Sequence, residues 1–204
     1  FGIINTQIIF MVLSKQFFQK LKKNYNDHEI ERRQIISRAN IILHDSKRVI
    51  FSLHRGDVVK AAGSLAEIEI NIKQLEKKFG YSRLAKEGAY NAAVEEYVEA
   101  KMFANVLGGK KIDTVKSFSV SVDAYLGGIC DLVGELVRLA TNRAAEGKFN
   151  EVEKYKVIAN DIMAELVEFD MTGYLRTKYD QAKGHLRKIE QVAYEVKLRS
   201  KHNE

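Results

Sequence analysis

The 204-residue chain has no proline, no tryptophan and a single cysteine. Proline sets turns, loops and sheet edges. Its absence argues against an all-β sandwich or a loop-rich secreted scaffold, and for long helices joined by short connections. A lone cysteine, Cys130, cannot close an internal disulfide, which fits a reducing compartment and a cytoplasmic location. Long apolar runs are scarce as well. The most apolar terminal stretch, residues 1–13, is too short to cross a bilayer as a helix, so no membrane partner is expected. Residues 1–12 read as an apolar arm or an appended remnant, ahead of a single domain over 13–204. No Walker phosphate loop, paired-cysteine motif or HExxH occurs, which leaves ATPase, zinc-site and metalloprotease readings without support.

What is present is an ordinary globular composition, 46% hydrophobic and 29% charged, with an uneven charge distribution. Residues 1–60 carry 11 Lys+Arg against 5 Asp+Glu, while the other 144 carry 22 of each, so the whole net charge of +6 lies in the first third. That bias favours an anionic partner such as nucleic acid. Glycines and polar clusters divide the chain into helical segments. The expected elements are a short leading helix over 13–23, a helix from an Asn26-Asp27 N-cap to His54, and one from Asp57 to Lys78 that stops at Gly80. Further helices are expected over about 82–107, 113–145, 150–171 and 172–201. The fold class is therefore all-α, a single-domain bundle of about seven helices.

Wound as helices, two segments carry acids in unusual places. In the 82–107 segment Leu84, Gly88, Ala92, Met102, Phe103 and Val106 define an apolar face. Glu99 falls in its middle, Glu95 falls on it, and Glu96 lies on its edge, with Arg83, Lys86, Glu87 and Lys101 opposite. A carboxylate in an apolar stripe has to be paired, protonated or bound to a cation. An Arg or Tyr from another helix could satisfy it, and so could a metal. In the 113–145 segment Asp131 and Glu135 stand opposite the apolar face, among Ala124, Gly127, Gly128 and Gly134. Glycine in a helix interior costs roughly 1 kcal/mol relative to alanine, so this face implies close approach of another backbone or a ligand. Four such carboxylates between facing helices would suit Mg²⁺ or Mn²⁺, which prefer oxygen ligands. The first long helix adds a stripe of Arg33, Ser37, Asn40, His44, Lys47, Arg48 and Arg55 with Phe51 among them. It reads either as a solvated face or as phosphate contacts with one stacking aromatic.

Three stretches in order, SKRVIFSLHR (Ser46–Arg55), EEYVEAKMF (Glu95–Phe103) and YLGGICDLVGELVR (Tyr125–Arg138), resemble the translin/Trax family. The resemblance covers about residues 27–200 and implies a translin-like helical fold assembled as a barrel-like octamer that binds single-stranded RNA or DNA inside. It places Glu96 and Glu99 in the EYVEA motif and Asp131 and Glu135 in DLxGEL, the acids of the Trax-like, Mg²⁺-dependent ribonuclease branch. The expected function is cleavage of single-stranded RNA within a homo-oligomeric, octameric cage. Glu96, Glu99, Asp131 and Glu135 would be the metal-holding and catalytic residues, and Arg33, Lys47, Arg48 and Arg55 would contact the nucleic acid, RNA first and single-stranded DNA as a second ligand. Hydrolysis of this kind leaves 5′-phosphate and 3′-hydroxyl ends. Two other readings stay open: a non-catalytic, translin-like binding protein, and an all-α nucleotide pyrophosphohydrolase with helix-borne acids on Mg²⁺.

Overall fold

The computed structural model describes residues 13–202, with side chains to residue 199; the expectation for residues 1–12 lies outside that range. The described residues form seven helices: α1 Lys15–His54, α2 Val58–Phe79, the single turn α3 Tyr81–Leu84, α4 Gly88–Leu107, α5 Val122–Ala145, α6 Phe149–Leu166 and α7 Gly173–His202. No strand occurs among them, as the missing proline predicts.

α1 is one 40-residue helix, about 60 Å long at the usual rise per residue, and not a short leader followed by a second helix. Asn26 and Asp27 lie inside it. Neither glycine nor proline occurs from residue 15 to 54, so nothing forces a break. Ser14 caps its start, accepting a hydrogen bond from the Phe17 amide at 3.2 Å. Residues 15–28 are exposed on all sides. From Ile35 onward one face is buried through Ile35, Ala39, Ile42, Ser46, Val49, Ile50 and Leu53, the spacing of an amphipathic helix docked on a bundle.

α4 and α5 are the inner helices. α1 packs on α4 and α2, while α6 and α7 pack on α5 and on each other. Tyr90, Tyr97, Met102 and Phe103 of α4 and Leu132, Leu136 and Leu139 of α5 belong to one core, all fully buried. Each such side chain contributes about 1.5–3 kcal/mol on leaving water. Cys130 is one of these core residues, and burial pushes its thiol up to about 12, which leaves it unreactive at neutral pH. α2 ends at Gly80, whose φ of 75° suits glycine and turns the chain into α3.

Three expected helices are shorter in the structure, and the one expected over 150–171 already ends at Leu166. The 82–107 segment breaks at residues 85–87, where Glu87 adopts an extended N-cap conformation. That break removes Gly88 and Ala92 from the apolar face, and both are exposed. Glu87, expected opposite, is buried between Arg83 at 2.7 Å and Arg32 at 3.4 Å. The helix expected from residue 113 begins at Val122, where Ser121 accepts from the Ala124 amide at 3.1 Å. No helix among the described residues is long and apolar enough to cross a membrane.

Candidate metal centre and nucleic-acid face

α4 carries Glu95, Glu96 and Glu99 toward the level at which α5 carries Asp131 and Glu135. The backbones meet here because α5 has glycine at 127 and 128. A Cβ on Gly128 would stand 2.8 Å from the Glu95 carbonyl oxygen and 3.0 Å from the Glu99 amide nitrogen. Of the two alternatives the glycines left open, another backbone or a ligand, the structure shows a backbone at Gly128, while side chains of Glu95 and His185 approach Gly127 and Gly134. Gly128→Ala is expected to cost about 1–3 kcal/mol, because the obstruction is main chain. Gly127→Ala meets the Glu95 side chain, which can yield where a backbone cannot although it would lose its contacts with Tyr174 and Lys178, and should cost less. Denaturant unfolding of the two variants tests that ranking, and the reverse order would contradict the packing described.

Glu99 is 7% exposed and has no hydrogen bond or ion pair among the described residues. Burial, and then the charges of Glu96, Asp131 and Glu135, push its carboxyl up to about 9, with Lys178 opposing. At neutral pH it is therefore protonated in the metal-free chain.

The other acids are matched with bases from three helices. Lys47 of α1 pairs with Glu96 at 3.1 Å. His54, the last residue of α1, contacts Glu135 through Nε2, and Arg138 lies 3.6 Å from the same carboxylate. Lys178 of α7 contacts Asp131 and lies 3.0 Å from Glu95, which also accepts a hydrogen bond from the Tyr174 hydroxyl at 2.6 Å. The His54 side chain is buried, its ring 4.9 Å from that of Phe103, and its Nδ1 has no hydrogen bond among the described residues.

All four expected acids thus share one electrostatic site. Among the described residues, however, no three Asp, Glu, His or Cys side chains converge as a ready set of metal ligands, because three of the four acids are drawn to Lys47, His54 and Lys178. The donor chemistry still fits a hard divalent cation. Every group is a carboxylate oxygen, and Glu99 is a buried, unpartnered carboxyl facing the charges of three others.

On the expected basic face Arg33, Lys47, Arg48 and Arg55 are all exposed, but they serve differently. Lys47 turns into the acid site. Arg48 pairs with Asp45 at 3.0 Å, and the Arg55 guanidinium lies 5.7 Å from the centre of the exposed Phe51 ring. Arg33 borders a concavity between α1 and α2 with Ser37, Arg38, Gln74, Lys78 and Phe79. His54, Tyr174 and Lys178 were not anticipated. The last two stand one turn apart on α7 and share a face with His185, which packs 3.2 Å from the Cβ position of Gly134, but nothing in the sequence shows that this face meets two acids.

Comparison with known proteins shows the family and the fold. Chicken (Gallus gallus) translin is 28% identical over 111 residues, covering 54% of this chain and 48% of that protein, so the match spans about half of that relative's length. An uncharacterized protein of Methanocaldococcus jannaschii is 25% identical over 186 residues, covering 89% of this chain and 83% of that protein. AfC3PO in complex with duplex RNA has the same fold, with a TM-score of 0.80 and 24% identity over 92% of this chain and 99% of its own. So does apo-NeC3PO, at 0.75 and 23%, over 88% and 96%. The profile of the Translin family matches residues 30–200, and the chain belongs to that family.

Proposed function

We propose that the chain is a Mg²⁺-dependent endoribonuclease (Mn²⁺ being the alternative metal) that cleaves single-stranded RNA within a homo-oligomer, an octameric cage of the kind its Trax-like motifs imply. The observation that carries this reading is Glu99, a buried carboxyl without a partner at the point where Glu96, Asp131 and Glu135 crowd it. Such a group is costly unless something takes its charge. Glu96, Glu99, Asp131 and Glu135 hold the cation, two from α4 and two from α5. Bound there, Mg²⁺ supplies charge neutralisation to a phosphodiester and acidifies water for attack. Arg33, Arg48 and Arg55 hold phosphates along α1, and Phe51 offers a stacking surface. The shared fold of AfC3PO, solved in complex with duplex RNA, supports nucleic acid as the ligand class; single-stranded DNA is proposed as a second ligand on the Trax-like motifs alone. We place this activity in the cytoplasm, where the lone thiol stays reduced.

A binding-only reading has one observation in its favour: Lys47, His54 and Lys178 already engage three of the four acids, as purely structural carboxylates would require. Incubation of end-labelled single-stranded and duplex RNA with the protein, in Mg²⁺ and in EDTA, separates the two. Fragments with 5′-phosphate and 3′-hydroxyl ends that need Mg²⁺ support the nuclease. Intact RNA that still shifts on a gel leaves a binding protein.

The basic face makes its own prediction. Arg48→Ala and Arg55→Ala are each expected to weaken RNA binding similarly across sequences, and to reduce the slope of log affinity against log salt by about 1. A filter-binding salt titration reads this out. An unchanged slope in both would move the RNA to another surface.

A further inference from the structure

We propose that Lys178 is the resident counter-ion of the carboxylate cluster and competes with the divalent cation for Asp131. This rests on the metal-binding reading above and adds to it a residue that limits how tightly the metal is held.

The geometry is specific. The Lys178 ammonium contacts Asp131 of α5 and lies 3.0 Å from Glu95 of α4, so one side chain of α7 bridges both inner helices. Tyr174, one turn earlier, donates its hydroxyl to the same Glu95 oxygen at 2.6 Å, and the ammonium lies 5.4 Å from the centre of its ring. Glu95 in turn occupies the space that a side chain at 127 would fill, since a Cβ there would be 2.3 Å from its Oε2. Gly127, Glu95, Tyr174 and Lys178 therefore form one construction whose product is a fixed positive charge on Asp131. The same cannot be said of Lys47, whose side chain is 57% exposed against 18% for Lys178 and which has a single acidic partner. Lys47 can swing into solvent, whereas Lys178 is pinned by two acids and a ring.

A dication entering beside Asp131 meets this charge and has to displace it or share the oxygen. Removal of the charge makes the site one unit more negative and releases Asp131. Divalent affinity is then expected to rise by about tenfold or more, the scale of Coulomb terms between near neighbours at a partly exposed site. A lysine with only a packing role would leave affinity unchanged or reduced when lost.

The test is a Mn²⁺ titration of the purified full chain, with free Mn²⁺ followed by electron paramagnetic resonance and the melting temperature recorded for each protein. Lys178→Met removes the charge and the donors. Lys178→Gln keeps an amide donor for Asp131 and guards against loss of the fold, and Lys178→Arg keeps the charge. Tighter binding by the Met or Gln variant, with no gain in the Arg variant, supports the counter-ion, as does Mn²⁺ binding that appears only once the charge is gone. Folded Met and Gln variants that bind Mn²⁺ like the wild type, or more weakly, overturn this inference alone. If neither the wild type nor any variant binds Mn²⁺, the metal-binding reading falls, and this inference with it.

Discussion

Glu99→Gln is expected to lower Mg²⁺-dependent RNA cleavage by roughly a hundredfold or more while leaving RNA affinity within about twofold of wild type. The substitution is chosen for its near-identity to the resting state. Burial and three neighbouring carboxylates keep Glu99 protonated at neutral pH in the metal-free chain, and a glutamine reproduces the shape and neutrality of that acid. Stability at neutral pH is therefore retained. What glutamine cannot do is become an anion when a dication arrives, so the loss is confined to the metal-bound state. The RNA-contacting arginines on α1 are untouched, which is why affinity holds. Cleavage and gel shift measured on the same preparation check both halves. Undiminished cleavage would place the chemistry away from the α4–α5 acids.

The second large effect is on stability against pH. Glu99 has a folded pKa of about 9 against an ordinary value of 4.5. Between those limits the folded chain binds a proton that the unfolded chain has released. The stability that this acid allows is therefore complete below about pH 4.5 and is lost as pH rises toward 9, the opposite of the usual ion-paired carboxylate. In EDTA the melting temperature of the wild type is expected to fall between about pH 6 and pH 9 more steeply than that of Glu99→Gln, which has no proton to lose. The difference between the two proteins isolates Glu99 from every other group that titrates in the interval. Parallel curves would mean that the carboxyl finds a partner or water when it ionises.

Glu99 also shows how far the sequence reaches. Its place on an apolar face was legible from helical spacing alone, because α4 is regular from Gly88 to Leu107 and its neighbours Met102, Phe103 and Val106 are buried as expected. The glycines of α5 were legible for a similar reason. Glycine in a helix interior has an energetic cost, and Gly128 recovers it through contact with the α4 backbone. Helix limits were harder to read. Asn26-Asp27 has good capping chemistry, yet capping residues are also tolerated inside a helix, and α1 runs through them. The break at residues 85–87 contains no proline and precedes the glycine at 88, so local composition carried little signal. Its consequence was larger than its length. The phase set at Leu84 does not continue into α4, which placed Gly88, Ala92 and Glu87 wrongly.

The partners of the acids were the least legible part. Lys178 lies 47 residues from Asp131 and His54 lies 81 from Glu135, so each pairing depends on which helices become neighbours. A helical wheel shows that Tyr174 and Lys178 share a face, but not that the face meets two acids. Sequence reading found Glu99 because a misplaced charge is conspicuous in an apolar stripe, and Asp131 and Glu135 because helix-interior glycines surround them. It passed over the bases because a lysine on an amphipathic helix is ordinary.

The most direct test of the central claim, that these four carboxylates form a divalent-cation site, is to locate the metal. Crystals of the protein soaked in Mn²⁺ are expected to show an anomalous-scattering peak between α4 and α5, within about 2.5 Å of a Glu99 carboxylate oxygen. Glu96, Asp131 or Glu135 would complete the shell, and Lys178 would be turned away from Asp131. A map with no peak there at saturating Mn²⁺, and with Lys178 still seated on Asp131, would contradict the account.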